Sequence, residues 1–128
     1  MNILVIGAGL TGCHFAREAE GRGHRAVVYD VAPNERYVRK VAGDVAILRG
    51  DVRDLPALAS TMRDHSIEVV FLNAGMIGGK AAERPFLTLD INVGGAITVA
   101  EAAGLNSVKR IVFASTFGVY DWDQDPSE

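Results

Sequence analysis

A chain of 128 residues, 48% of them hydrophobic, is one domain long enough to bury a core. A net charge of −3 without any basic run argues against nucleic acid or an anionic membrane surface as the main partner. The single cysteine, Cys13, excludes an internal disulfide and any multi-cysteine metal site.

The chain opens at once on an apolar strand, Asn2 to Ile6, with no positively charged segment before it. No later apolar stretch reads as long enough to cross a bilayer, so the expectation is a cytoplasmic protein without a membrane partner. Gly7-Ala8-Gly9-Leu10-Thr11-Gly12 follows the strand and opens a helix from Leu10 to about Glu20, which Gly21-Arg22-Gly23 stops. A second strand, Ala26-Val27-Val28-Tyr29, ends on Asp30. Strand, GxGxxG turn, helix, strand and acid in this order form a dinucleotide-binding fingerprint. Gly7 lets the chain turn off the strand, Gly9 lets a pyrophosphate approach the backbone, and Gly12 lets the helix pack closely on the strand. The helix N-terminus then supplies an anion site without a basic side chain. Asp30 would accept hydrogen bonds from the ribose hydroxyls and repel a 2′-phosphate, which predicts NAD over NADP, although Arg36 is near enough in sequence to rescue a phosphate. Cys13, in the first helical turn, reads as a small packing residue whose thiolate the helix dipole could also favour.

Pro33 to Val41 predicts a short helix and Val45 to Leu48 a third strand. Asp54 and Pro56 start a helix to about Asp64, with Asp54 as a structural N-cap. Ile67 to Leu72 is a nearly continuous apolar strand, expected when a parallel sheet is covered on both faces. Met76 to Arg84 has no periodicity and reads as a loop over the ligand site. A long helix covers roughly Phe86 to Ala103; its Gly94-Gly95 costs about 1 kcal/mol per glycine and marks a close approach by another backbone or helix. Val108 to Ala114 is the fifth strand. The pattern βαβαβαβαβ predicts a Rossmann-type, doubly wound parallel sheet of order 3-2-1-4-5 over residues 1–120, with an acidic loop or tail at 121–128. His14, His24 and His65 share no ligand spacing, so no metal is expected. Ser115 has no sequence-evident histidine base for a hydrolase triad.

Four more segments extend the pattern: Gly50-Asp51-Val52-Arg53-Asp54, Leu72-Asn73-Ala74-Gly75, Ile91-Asn92-Val93-Gly94-Gly95 and Phe113-Ala114-Ser115-Thr116-Phe117-Gly118-Val119-Tyr120. With the glycine turn they resemble, over essentially the whole chain, the short-chain dehydrogenase/reductase superfamily. The branch is that of the NAD-dependent epimerase/dehydratases acting on nucleotide sugars. Alone, Asp51 reads as a solvated loop acid; the resemblance implies that Asp51 and Val52 hold the adenine. It likewise implies that Asn73, Ala74 and Gly75 border the cofactor's ribose and phosphate, and that the Asn92 amide braces neighbouring backbone. Leu10 and Thr11 fall within the glycine motif of the cofactor site. Thr116 matches the catalytic serine or threonine that orients the reacting oxygen, beside a tyrosine and lysine in a YxxxK pair.

The chain departs from that family in two respects. None of Tyr29, Tyr37 and Tyr120 has lysine four residues on, and one residue instead of two separates the first two glycines. The expectation is therefore the cofactor-binding part of such an enzyme, with the substrate region absent, catalysis incomplete and homodimer pairing through the long helix. A non-catalytic module that senses dinucleotide is the alternative.

Overall fold

The computed structural model describes residues 1–116. Five parallel strands run β1 (Asn2–Ile6), β2 (Arg25–Asp30), β3 (Ala46–Arg49), β4 (Val69–Leu72) and β5 (Arg110–Phe113), in the spatial order 3-2-1-4-5. Between them lie α1 (Leu10–Gly21), α2 (Glu35–Ala42), α3 (Leu55–Asp64), α4 (Gly79–Glu83), α5 (Pro85–Leu89), a π turn (Asp90–Gly94) and α6 (Gly95–Leu105). The reversal of strand order between β1 and β4 opens a crevice at the carboxyl ends of the strands, where such sheets bind ligands.

Period-two alternation divides the core between the two faces of the sheet. Ile3 and Val5 of β1 join Val28 and Phe71 beneath α1 and α2, while Leu4 and Ile6 join Val27 and Leu72 beneath α3 and α6. The expected two-sided burial is present in β1, β2 and β4. Phe15 of α1 stacks on Phe71 with ring centroids 4.1 Å apart, tying the first helix to β4. Local sequence sets the helix starts. The Asn34 side chain accepts from the Tyr37 N–H at 3.1 Å, and that of Asp54 from Ala57 at 3.0 Å, so Asp54 is the structural cap expected of it. Cys13 is buried, its Sγ donates to the Ala8 carbonyl at 3.3 Å, and burial, then the nearby Asp30 charge, pushes its thiol up. It is a packing residue.

Three expectations need correction. The stretch Met76 to Arg84 contains a short helix, α4, which Thr88 holds by donating from Oγ1 to the Ala81 carbonyl at 3.1 Å. The long helix is not one uniform α-helix. It widens into the π turn at Asp90–Gly94, and the close approach at Gly95 comes from a loop side chain: a Cβ there would lie 2.5 Å from Cγ2 of Val52. Finally, Pro85–Leu105 is long and apolar enough to cross a membrane by length and composition, with an 18-residue stretch of mean hydropathy 1.2. Its apolarity has two origins. Gly95, Val99, Ala102 and Ala103 are buried in the fold, while Phe86, Leu89, Val93 and Ile97 are exposed. The segment from Phe117 to Tyr120 and the acidic stretch 121–128 lie outside the described residues.

Candidate functional site

β1 delivers its chain to the crevice through Gly7, whose φ of +108° is a backbone conformation that side chains rarely adopt. A Cβ at Gly7 would also come within 2.8 Å of the Ala74 amide nitrogen, so the β1 and β4 ends meet backbone to backbone. α1 starts at Leu10 without a side-chain cap, and a Cβ on Gly12 would collide with the Gly7 carbonyl oxygen. Gly12 thus presses the first helical turn onto the glycine loop. Gly9 differs from both: nothing lies within 4 Å of a Cβ built there. The uncapped helix end and the open space over Gly9 fit an anionic group approaching the backbone.

A cleft of about 390 Å³ joins these features, and Gly7, Gly9, Asp30, Asp51, Val52, Asn73, Ala74 and Gly75 all line it. A larger hollow of about 590 Å³ lies at the opposite ends of the strands, beside Ile3, Phe15, Val69 and Val112. It lacks the glycine loop and the strand-end acids, so the switch-point cleft is the candidate site. Asp30, last in β2, is fixed there by two amides: Ala8 N–H donates to Oδ2 at 2.7 Å and Ala32 N–H to Oδ1 at 2.8 Å. Each oxygen keeps a lone pair for a hydroxyl donor.

Asp51 stands on the β3 side. The Arg53 side chain donates to it twice, from Nη2 to Oδ2 at 2.6 Å and from Nε to Oδ1 at 2.9 Å. Those hydrogen bonds hold the Asp51 carboxyl below its ordinary range. Arg53 also donates through Nη1 to Asp90 Oδ2 at 2.8 Å, joining the β3–α3 loop to the π turn. Beneath the loop, the Tyr29 hydroxyl donates to the Asp51 carbonyl at 3.2 Å, and burial raises the Tyr29 pKa.

Not every expected residue faces the cleft. Asn92 lies behind its wall, with Nδ2 donating to the Met76 carbonyl at 2.9 Å and Oδ1 accepting from the Met76 N–H at 2.8 Å. The amide thus braces the Met76 backbone. It also explains Gly75, where a Cβ would meet Asn92 Oδ1 at 3.2 Å. Leu10 and Thr11 are exposed on the first turn of α1, and Gly12 is buried under it. Thr116 is exposed three residues past β5 and is not among the lining residues. Sequence reasoning missed Tyr29, Val31, Arg53, Leu87 and Ile91 as cleft wall, whereas it placed Met76 in a loop over the site. Arg53 carried a signal, since an arginine two residues after a strand-end aspartate can fold back on it; Leu87 and Ile91 carried none.

A family model for the NAD dependent epimerase/dehydratase family matches residues 3–128. UDP-glucose 4-epimerase 2 of Arabidopsis thaliana is 30% identical over 97% of this chain and 39% of its own length. UDP-glucose 4-epimerase of Klebsiella pneumoniae is 29% identical, over 94% of this chain and 92% of that protein. The crystal structure of UDP-glucose-4-epimerase from Stenotrophomonas maltophila, with bound NAD and formylated UDP-arabinopyranose, superposes with a TM-score of 0.88 at 32% identity. The match covers 98% of this chain and 40% of that one. The chain thus spans about two fifths of the length of the Arabidopsis relative and of that structure.

Proposed function

The chain belongs to the NAD-dependent epimerase/dehydratase family, and on that premise we propose that its switch-point cleft binds NAD as the cofactor-binding part of an enzyme acting on a nucleotide sugar. The observation that carries the reading is the meeting of an uncapped helix end, open space over Gly9 and the fixed carboxylate of Asp30 in one cleft. The α1 N-terminus and Gly9 receive the pyrophosphate, Asp30 accepts from the ribose hydroxyls, and Asp51 accepts from the adenine amine. Val52, Asn73, Ala74 and Gly75 wall the same path, and Asn92 holds that wall in place. When bound, NAD would supply reversible acceptance of a hydride from the carbon that bears a sugar hydroxyl. Thr116 orients the oxygen of that hydroxyl, but its own hydroxyl stays protonated at neutral pH and so does not take the proton. The identity of NAD in the crystallised Stenotrophomonas relative supports the cofactor.

The proposal extends to a cytoplasmic homodimer. NAD is an intracellular cofactor, and Phe86, Leu89, Val93 and Ile97 form an exposed apolar stripe at helical spacing that a second copy would cover. Calorimetric titration tests the cofactor reading: NAD is expected to bind more tightly than NADP, and Asp30→Ala to erode that preference. Equal affinity of the unmodified chain for both cofactors would overturn it.

A further inference from the structure

We propose that Arg53 is a positioning residue that sets base selectivity, holding the Asp51 carboxylate on the cleft wall and anchoring that wall to the π turn through Asp90. The inference rests on the NAD reading. The loop that carries Asp51 is shaped from below and from the side. A Cβ at Gly50 would collide with the Tyr29 ring, the Tyr29 hydroxyl holds the Asp51 carbonyl, and Val52 fills the space left by Gly95. None of these contacts fixes the carboxylate itself, whose side chain is one-third exposed. Arg53 does. Its planar fork meets both oxygens, and its own backbone N–H donates to Oδ1 at 2.9 Å. Oδ1 is thereby filled by two donors, while Oδ2 accepts one and keeps a lone pair for an amine.

The third guanidinium nitrogen determines where the assembly is tied. Asp90 receives it at 2.8 Å from within the π turn, and two residues on, Asn92 grips the Met76 backbone on the other wall. One widened turn therefore holds both sides of the cleft, one through an ion pair and one through an amide. A lysine in place of Arg53 would keep a charge but lose the fork, so the carboxylate could rotate.

Because Arg53 itself lines the cleft, it could instead stack on the base, which would favour any purine alike. Titration with NAD and with nicotinamide hypoxanthine dinucleotide, which lacks the exocyclic amine, separates the two. The unmodified chain is expected to prefer NAD. Arg53→Met should lose about tenfold of that preference, the scale of one charge-assisted hydrogen bond, and Arg53→Lys a smaller part of it. Asp90→Ala should shift the preference in the same direction, and no shift there overturns the anchoring. If Arg53→Met does not fold, a preference in Arg53→Lys equal to that of the unmodified chain overturns the proposal. Equal weakening of both dinucleotides in Arg53→Met, or an unchanged preference, overturns it while leaving NAD binding intact. Failure of the unmodified chain to bind either dinucleotide removes the NAD reading together with the inference.

Discussion

Gly9 and Gly12 are three residues apart, yet a methyl group on each meets opposite surroundings. At Gly12 it strikes the Gly7 carbonyl, and at Gly9 it meets open space at an ordinary φ of −78°. Gly12→Ala should therefore destabilise the protein by about 1–3 kcal/mol, as overpacking of a tight contact does. Gly9→Ala should leave stability unchanged or raise it by about 0.4–1 kcal/mol, because the substitution restricts the unfolded chain. NAD affinity should nevertheless fall in Gly9→Ala, since the methyl stands where the pyrophosphate approaches. Denaturant unfolding and calorimetry on the two variants check this separation; a destabilised Gly9→Ala with undiminished NAD affinity would reverse the roles. The glycine motif announced both positions. It did not announce Gly75, whose small size serves the Asn92 brace, because that contact joins residues 17 apart through the fold.

At the scale of elements, the strand ends opposite the cleft are tied by Glu68. Its Oε1 accepts from Lys109 Nζ at 2.6 Å, and its Oε2 from the Asn2 N–H at 3.0 Å, so one carboxylate joins the starts of β1, β4 and β5. Lys109 first, then Asn2, hold the Glu68 carboxyl below its ordinary range, as Arg53 does that of Asp51. A carboxyl depressed in the folded state stabilises it above the unfolded pKa, and that contribution is lost as pH falls through the folded value. Stability should thus decline as pH drops below about 4.5, the ordinary carboxylate region. Lys109→Met should flatten that decline, modestly because the pair is exposed and screened by salt. Unfolding measured between neutral and acidic pH checks it, and an identical acid limb in the variant would overturn the role given to Lys109. The strands, the α1 turn and the Asp54 cap were legible because burial period and capping chemistry are local. The π turn was not, since Ile91-Asn92-Val93 continues an apolar helical pattern and only the reach of Asn92 to Met76 shows how the widened turn is used.

For the whole molecule, the exposed surface is more apolar than a covered sheet would leave. Phe86 is 83% exposed and Ile97 63%, and β5 presents Ile111, Val112 and Phe113. A second copy covering the helix stripe should make the chain dimeric, with Ile97→Glu shifting it towards monomer; light scattering across concentrations reads this, and a monodisperse unmodified monomer at high concentration would count against it. On its own the chain should bind NAD without multiple turnovers, because no tyrosine is followed by lysine at the spacing that supplies the proton transfer. Losing such a general acid/base costs on the order of 10² to 10⁴ in rate. Turnover of a nucleotide sugar that disappears in Thr116→Val would show a complete catalytic centre within these residues.

The sequence by itself determined the doubly wound sheet and its strand order, because alternating apolar strands joined by helical crossovers admit few right-handed arrangements. It also placed the glycine turn after β1 and the acids Asp30 and Asp51 at the ends of β2 and β3, because each position follows from where a strand stops. Only the tertiary structure decided which side chains surround those acids. Arg53 reaching Asp90, Val52 seated at Gly95 and Asn92 gripping Met76 all depend on bringing distant elements together. Such contacts leave no period in the chain, since each is set by the distance between packed elements and not by spacing along one of them.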